Sequence, residues 1–205
     1  MLDRFALTIT KPALDSAASF LAKRGVTADQ LSIGGFGFGM LAVMGIALGY
    51  SLFAVFPLLI NRACDGLDGA VARLSPPSDR GVFLDITLDF LFYAGVPLAF
   101  AFCDPARNAL AAAALLAAFI GTGVSFLAYA IVAEKRGKEK TYYPNKAFYY
   151  LGGLTEGTET IVCFVLMCLW PAWFSVIALV YAGMCLVTTA YRLFAGWRDF
   201  GSGRA

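Results

Sequence analysis

Residues 51–103 read SLFAVFPLLINRACDGLDGAVARLSPPSDRGVFLDITLDFLFYAGVPLAFAFC. Two apolar runs, at about 51–73 and 81–103, are each long enough to cross a hydrocarbon core. A short polar stretch from Ser75 to Arg80, holding Pro76 and Pro77, joins them. Arg62, Asp65, Asp68, Asp85 and Asp89 nevertheless lie within these runs. A carboxylate in the middle of a span costs roughly 2.5–3.5 kcal/mol even on a mild insertion scale. Four aspartates without an intramembrane lysine call for a local cation, and Arg62 and Arg73 cannot neutralise all of them.

The spacing makes that requirement concrete. Asp65 and Asp68 are three apart and share a helix face; Asp85 and Asp89 are four apart and do the same. The two helices are consecutive and antiparallel. With the proline loop at the membrane edge, Asp68 and Asp85 lie roughly 7–8 Å deep, and Asp65 and Asp89 about 12–14 Å. The carboxylates then pair by depth, Asp68 with Asp85 and Asp65 with Asp89. Oxygen ligands without His or Cys favour Mg²⁺ or Mn²⁺ over zinc. Gly69 follows Asp68, and Gly81 is one turn from Asp85, so a bulky ligand can approach both backbones. Arg73, four residues after Gly69, shares its face and can reach a phosphate or close the site with a salt bridge.

The rest of the chain repeats the apolar pattern. Of 205 residues, 60% are hydrophobic and 15% charged, with a mean hydropathy of +0.72. A chain this short cannot enclose so much apolar surface as a soluble core. One all-α polytopic domain over 1–205 is expected. It comprises an arm over 1–25, a six-span bundle over 26–197 and a cytosolic tail over 198–205. The spans fall at about 30–49, 51–73, 81–103, 108–133, 147–170 and 172–194. In the arm, Pro12 breaks the stretch, and from Ala13 the pattern predicts an amphipathic helix lying on the membrane surface.

Basic residues orient the bundle. The arm carries Arg4, Lys11, Lys23 and Arg24, and the second-to-third connection Arg73 and Arg80. The fourth-to-fifth loop has Lys135, Arg136, Lys138, Lys140 and Lys146, and the tail Arg192, Arg198 and Arg204. This asymmetry predicts both termini and the acidic cluster on the cytosolic side of the membrane. The N-terminus lacks the basic region and apolar core of a signal peptide and is expected to be retained. Gly35/Gly39, Gly45/Gly49 and Gly153/Gly157 fit a GxxxG spacing and argue a tightly packed bundle. The five cysteines show no metal-ligand spacing and read as small apolar residues. With no histidine, Ser-His-Asp, Cys-His and HExxH chemistries are excluded, and a net charge of +2 gives no reason to expect nucleic acid.

As a string, the stretch is Asp65-x2-Asp68-Gly69-x2-Ala72-Arg73-x7-Gly81-x3-Asp85-x3-Asp89. This closely resembles the signature of the CDP-alcohol phosphatidyltransferase family. Every fixed position is present, and the Arg-to-Gly spacer is one residue shorter than a commonly written form. The resemblance implies a six-span bundle with an N-terminal surface helix, usually a homodimer, holding two divalent metals. Carried over, Asp65, Asp68 and Asp85 are metal ligands, and Asp89 is both ligand and general base. Gly69, Ala72 and Gly81 line the cytidine nucleotide beside Asp65 and Asp68, with Arg73 supporting that site. Many relatives carry Pro-Asn-x-x-Thr at the start of the first span. Here the matching stretch is Ala28-Asp29-Gln30-Leu31-Ser32, in which Asp29 and Ser32 replace some polar contacts.

The implied reaction transfers a substituted phosphate, phosphatidyl from CDP-diacylglycerol, to an alcohol with release of CMP, in a bacterial inner membrane. The alternatives are a headgroup transferase using CDP-choline or CDP-ethanolamine with diacylglycerol, and, from another class, an ion or metal transporter. Glu156 and Glu159, three apart in the fifth span, read as an acceptor pocket with Lys146, as extra carboxylates near the metals, or as partners of Arg62 or of a basic loop residue. The loop from Glu134 to Lys140 reads as a solvated turn, with Tyr143 and Lys146 better placed for an acceptor. Trp170, Trp173 and Trp197 fall near span ends as interfacial anchors.

Overall fold

The computed structural model describes residues 2–74, 78–136 and 154–201, with side chains from Lys11 onward. Seven α-helices follow in order: α1 (Leu2–Lys23), α2 (Ala28–Ala47), α3 (Ser51–Ala72), α4 (Asp79–Cys103), α5 (Pro105–Lys135), α6 (Gly157–Leu169) and α7 (Phe174–Gly201). A 3-10 turn, Pro171–Trp173, leads into α7. Among the described residues there is no strand.

Local chemistry sets the helix starts. Thr27 begins α2 with a capping box: its hydroxyl accepts from the Gln30 amide at 3.3 Å, and the Gln30 side chain accepts from the Thr27 amide at 3.0 Å. Ser78 caps α4 by accepting from the Gly81 amide. Asp104 caps α5 by accepting from the Arg107 amide, with Pro105 at the first helical position. Between α2 and α3, Gly49 takes φ 85°, a left-handed value that a side chain would strain.

Four helical stretches are long and apolar enough to cross a membrane: Ala28–Ala47, Asp79–Cys103, Pro105–Lys135 and Pro171–Gly201. The expected count of six is not reached by length and composition among the described residues. Helix α3 has 22 residues, but every 18-residue stretch of it contains Arg62, Asp65 and Asp68. Helix α6 has 13 residues, and the first part of the span expected at 147–170 lies outside the described residues. Two other expectations shift. Pro12 sits inside α1 instead of breaking it; it is exposed, where water can satisfy the carbonyl that loses its donor. Helix α7 runs to Gly201, so Arg192 and Arg198 are helical rather than part of a tail.

The interior is aromatic. Phe92, Phe164 and Tyr181 are fully buried and Phe119 nearly so; the Phe164 ring meets Phe92 and Phe119 edge-on at 6.0 and 6.2 Å. Large apolar side chains also cover the outside, among them Leu52, Phe56, Phe102, Leu110, Phe194 and Trp197. Soluble proteins do not tolerate such a surface, whereas acyl chains solvate it.

Helix α2 is the wedge of the bundle, packing along both α3 and α4. Its glycines make this possible. A Cβ on Gly35 would lie 2.7 Å from the Cys64 Cβ on α3, and one on Gly39 would lie 2.8 Å from the Phe92 ring on α4. The bared Gly35 carbonyl accepts from the Asn61 side-chain amide at 3.0 Å. Gly35→Ala should therefore destabilise the fold by about 1–3 kcal/mol through overpacking. Gly34→Ala, where an added Cβ meets no atom of another described helix within 4 Å, serves as the matched control in detergent unfolding. Equal stability of the two variants would refute the wedge.

Candidate active site

Asp65 and Asp68 project from one face of α3, and Asp85 and Asp89 from one face of α4. Carboxylate oxygens of Asp65, Asp68 and Asp85 lie within 4.8 Å of one another. Asp89 lines the same cavity, whose wall is completed by Ser32, Gly35 and Phe36 of α2, Asn61 of α3 and Leu88 of α4. All four predicted aspartates thus converge, beside the N-terminal half of α2.

Like charges this close repel strongly in a low dielectric unless a cation joins them. The ligand atoms are all carboxylate oxygens, a hard donor set that fits Mg²⁺ or Mn²⁺. Arg62 ion-pairs with Asp65. The Ser32 hydroxyl lies 2.5 Å from Asp68 Oδ2 and 3.2 Å from the Ala28 carbonyl; its single proton belongs to the nearer carboxylate. Ser32, expected only as a loose substitute for a family threonine, directly orients a buried member of the cluster. Asp29 pairs with Arg80 of α4 and lies 3.2 Å from where a Gly81 Cβ would be. It faces the start of α4 and is not one of the clustered carboxylates.

The residues expected to line the nucleotide follow α3 and the start of α4. Among the described residues the Arg73 guanidinium lies nearest the vacant Cβ position of Gly69, at 3.7 Å, so these two share a face as the spacing predicts. Ala72 and Arg73 are exposed at the end of α3, and Gly81 is partly buried. Arg73 also pairs with Asp15 of α1 at 3.6 Å.

Glu156 and Glu159 flank the start of α6, with Glu156 buried at the position preceding the helix. A Cβ on the intervening Gly157 would lie 3.5 Å from the Tyr93 hydroxyl and 3.7 Å from Arg62 Nη1. The end of α6 that carries the glutamates therefore abuts the same arginine that pairs with Asp65. Thr155 donates to Thr188 at 3.0 Å, and Thr160 and Tyr181 share a hydrogen bond of 2.8 Å, so this polar patch continues onto α7. Lys146, Tyr143 and the loop from Gly137 to Lys140 lie outside the described residues.

Arg192 was expected among the solvated tail charges. It is buried on α7, where Nη1 donates to the Thr122 carbonyl at 2.9 Å and the guanidinium lies 5.7 Å from the Phe126 ring. Helical period carried the signal: Tyr181, Cys185, Thr188, Arg192 and Ala195 follow steps of three and four, and all are buried.

The sequence model of the CDP-alcohol phosphatidyltransferase family matches residues 26–191, and the chain belongs to that family. It is accordingly an enzyme, which removes the transporter alternative. Inner membrane protein YnjF of Escherichia coli is 51% identical over 197 residues, 96% of each chain. Archaetidylinositol phosphate synthase of Pyrococcus horikoshii is 34% identical over 97 residues, covering 47% of this chain and 51% of that one. The fold matches phosphatidylinositol phosphate synthase of Mycobacterium tuberculosis with CDP-DAG bound, at a TM-score of 0.71 and 21% identity over 90% of this chain and 93% of that one. The same synthase in complex with manganese and citrate matches at 0.67 and 21% identity, over 90% of this chain and 88% of that one.

Proposed function

We propose that the chain transfers phosphatidyl from CDP-diacylglycerol to an alcohol, releasing CMP at the cytosolic face of a bacterial inner membrane. The observation that carries this reading is the convergence of Asp65, Asp68 and Asp85 within 4.8 Å in a cavity that Asp89 also lines. The related synthase with CDP-DAG bound supports the donor. One domain over 1–205 is proposed, with α3 and the full length of the fifth span as further membrane crossings, α1 on the surface and a second copy completing a homodimer.

Divalent metal held by Asp65, Asp68, Asp85 and Asp89 would neutralise charge on the donor phosphate oxygens and on departing CMP. The acceptor oxygen forms the new bond to phosphorus, the bond to CMP breaks with its electron pair on the nucleotide, and Asp89 receives the hydroxyl proton. Ser32 holds Asp68 in its working orientation. Gly69, Ala72 and Gly81 leave room for the cytidine nucleotide, and Arg73 faces its phosphates. Glu156 and Glu159 line the acceptor side; Lys146, expected with them, lies outside the described residues. The apolar exterior accommodates the diacylglycerol chains.

The test is incubation of purified protein with labelled CDP-diacylglycerol, Mn²⁺ and a panel of alcohols: glycerol phosphate, inositol phosphate, serine and choline. CMP release that depends on one alcohol, with that alcohol in the lipid product, is expected. Inactivity with every alcohol, together with turnover of CDP-choline or CDP-ethanolamine on diacylglycerol, would move the lipid from donor to acceptor.

A further inference from the structure

We infer that Asp15 on helix α1 is a positioning residue for Arg73, through which the surface helix tunes binding of the CDP-linked donor. The inference rests on the reading of Arg73 as a residue of the nucleotide site.

Helix α1 is seated on the part of α3 that carries the signature. Leu14 packs against Gly66, the residue next to Asp65, with its Cδ1 3.3 Å from where a Cβ would be. Ala18 is buried against Ala70 and Val71, one turn further along α3, with Leu14 and Leu21 packed around them. The small residues interleaved with the aspartates thus receive α1 on the side away from the carboxylates. Between these two contacts α1 presents Asp15, whose carboxylate lies 3.6 Å from Arg73 Nη2. The other end of the same guanidinium, Nη1, lies over Gly69.

Arg73 closes α3 and is half exposed. A long side chain in that position has many rotamers, and most of them do not lie over Gly69. Asp15 is the carboxylate paired with it among the described residues. An exposed pair adds little to folding stability. Its consequence falls instead on orientation: it holds the guanidinium at the glycine where a nucleotide would approach, which lowers the ordering cost of binding. Phe20 and Lys23 lie further along α1 and Arg24 directly follows it, all exposed, where lipid headgroups can hold the helix.

The test is binding of CDP-diacylglycerol to the full-length protein in detergent with Mn²⁺, alongside thermal unfolding of each variant. Asp15→Asn should weaken binding about two- to fivefold, with the unfolding temperature of the ligand-free protein unchanged. Asp15→Glu, which keeps the charge, should restore binding. The deficit should shrink in high salt, where the pair is screened in the parent as well. It should vanish in an Arg73→Gln background. If Asp15→Asn binds as the parent does, or more tightly, while Arg73→Gln is impaired, Asp15 has no positioning role and the reading of Arg73 stands. If Arg73→Gln itself binds normally, that reading falls and the inference with it. A deficit of equal size in both backgrounds also overturns the inference, because Asp15 would then act by another route.

Discussion

Asp89→Asn is expected to abolish CMP release, with a loss on the order of 10²- to 10⁴-fold, the usual contribution of a positioned general base. Asp89 stands one turn beyond Asp85 on α4 and lines the cavity in which the other three carboxylates lie. Asparagine has nearly the same size and fits the same helix face. It can accept a hydrogen bond, but it cannot take the acceptor's proton at neutral pH. Insertion and elution in detergent should therefore match the parent. Turnover within tenfold of the parent would remove Asp89 from the mechanism. Asp89→Glu separates placement from charge: it retains a basic carboxylate displaced by one methylene, so partial activity identifies the proton acceptor rather than a structural residue.

The second large effect is on metal. Exhaustive EDTA treatment should take the reaction to background, and Mg²⁺ or Mn²⁺ should restore it. Asp65, Asp68 and Asp85 bring carboxylate oxygens within 4.8 Å of each other, with Arg62 as the ion-pair partner of Asp65. That charge balance leaves the cluster net negative and gives a divalent cation a large electrostatic gain. A cation that binds only the folded state also stabilises it, by about 2.7 kcal/mol at a hundredfold excess over its Kd. Unfolding in detergent should thus occur at a higher temperature with Mn²⁺ than with EDTA. Asp68→Asn should reduce that rise, since Asp68 is the buried member of the set. Activity that survives full chelation, or an unfolding temperature indifferent to Mn²⁺, would count against the acidic cluster as a metal site.

Much of this site was legible before any coordinates. Four carboxylates inside apolar spans are too costly to be incidental. Spacings of three and four put each pair on one helix face, and antiparallel helices joined by a short loop equalise their depths. The boundaries of α4 and α5 lie close to those of the apolar runs because the runs stop at polar connections, where Ser78 and Asp104 cap the helix starts. Arg192 was misplaced because a basic residue near a terminus resembles an orientation signal. Its burial depends on α7 continuing to Gly201 and packing along α5. Pro12 reads as a break in the sequence, yet an exposed helix tolerates one missing donor.

The sequence by itself determined the class of architecture and the clustering of acidic side chains within residues 65–89. Hydropathy and helical period are local properties, and the cost of a charge in hydrocarbon does not depend on what lies beside it. The tertiary structure alone decided how the two acidic helices are held in register. Helix α2 packs against both of them, with Gly35 against Cys64 and Gly39 against Phe92, and its Ser32 reaches Asp68. It also decided that α1 lies along the signature with Asp15 on Arg73, and that α6 starts against Arg62. These are contacts between residues far apart in the chain, set by which small residues allow close approach. A periodic pattern marks the face a helix buries, but not the helix that covers it.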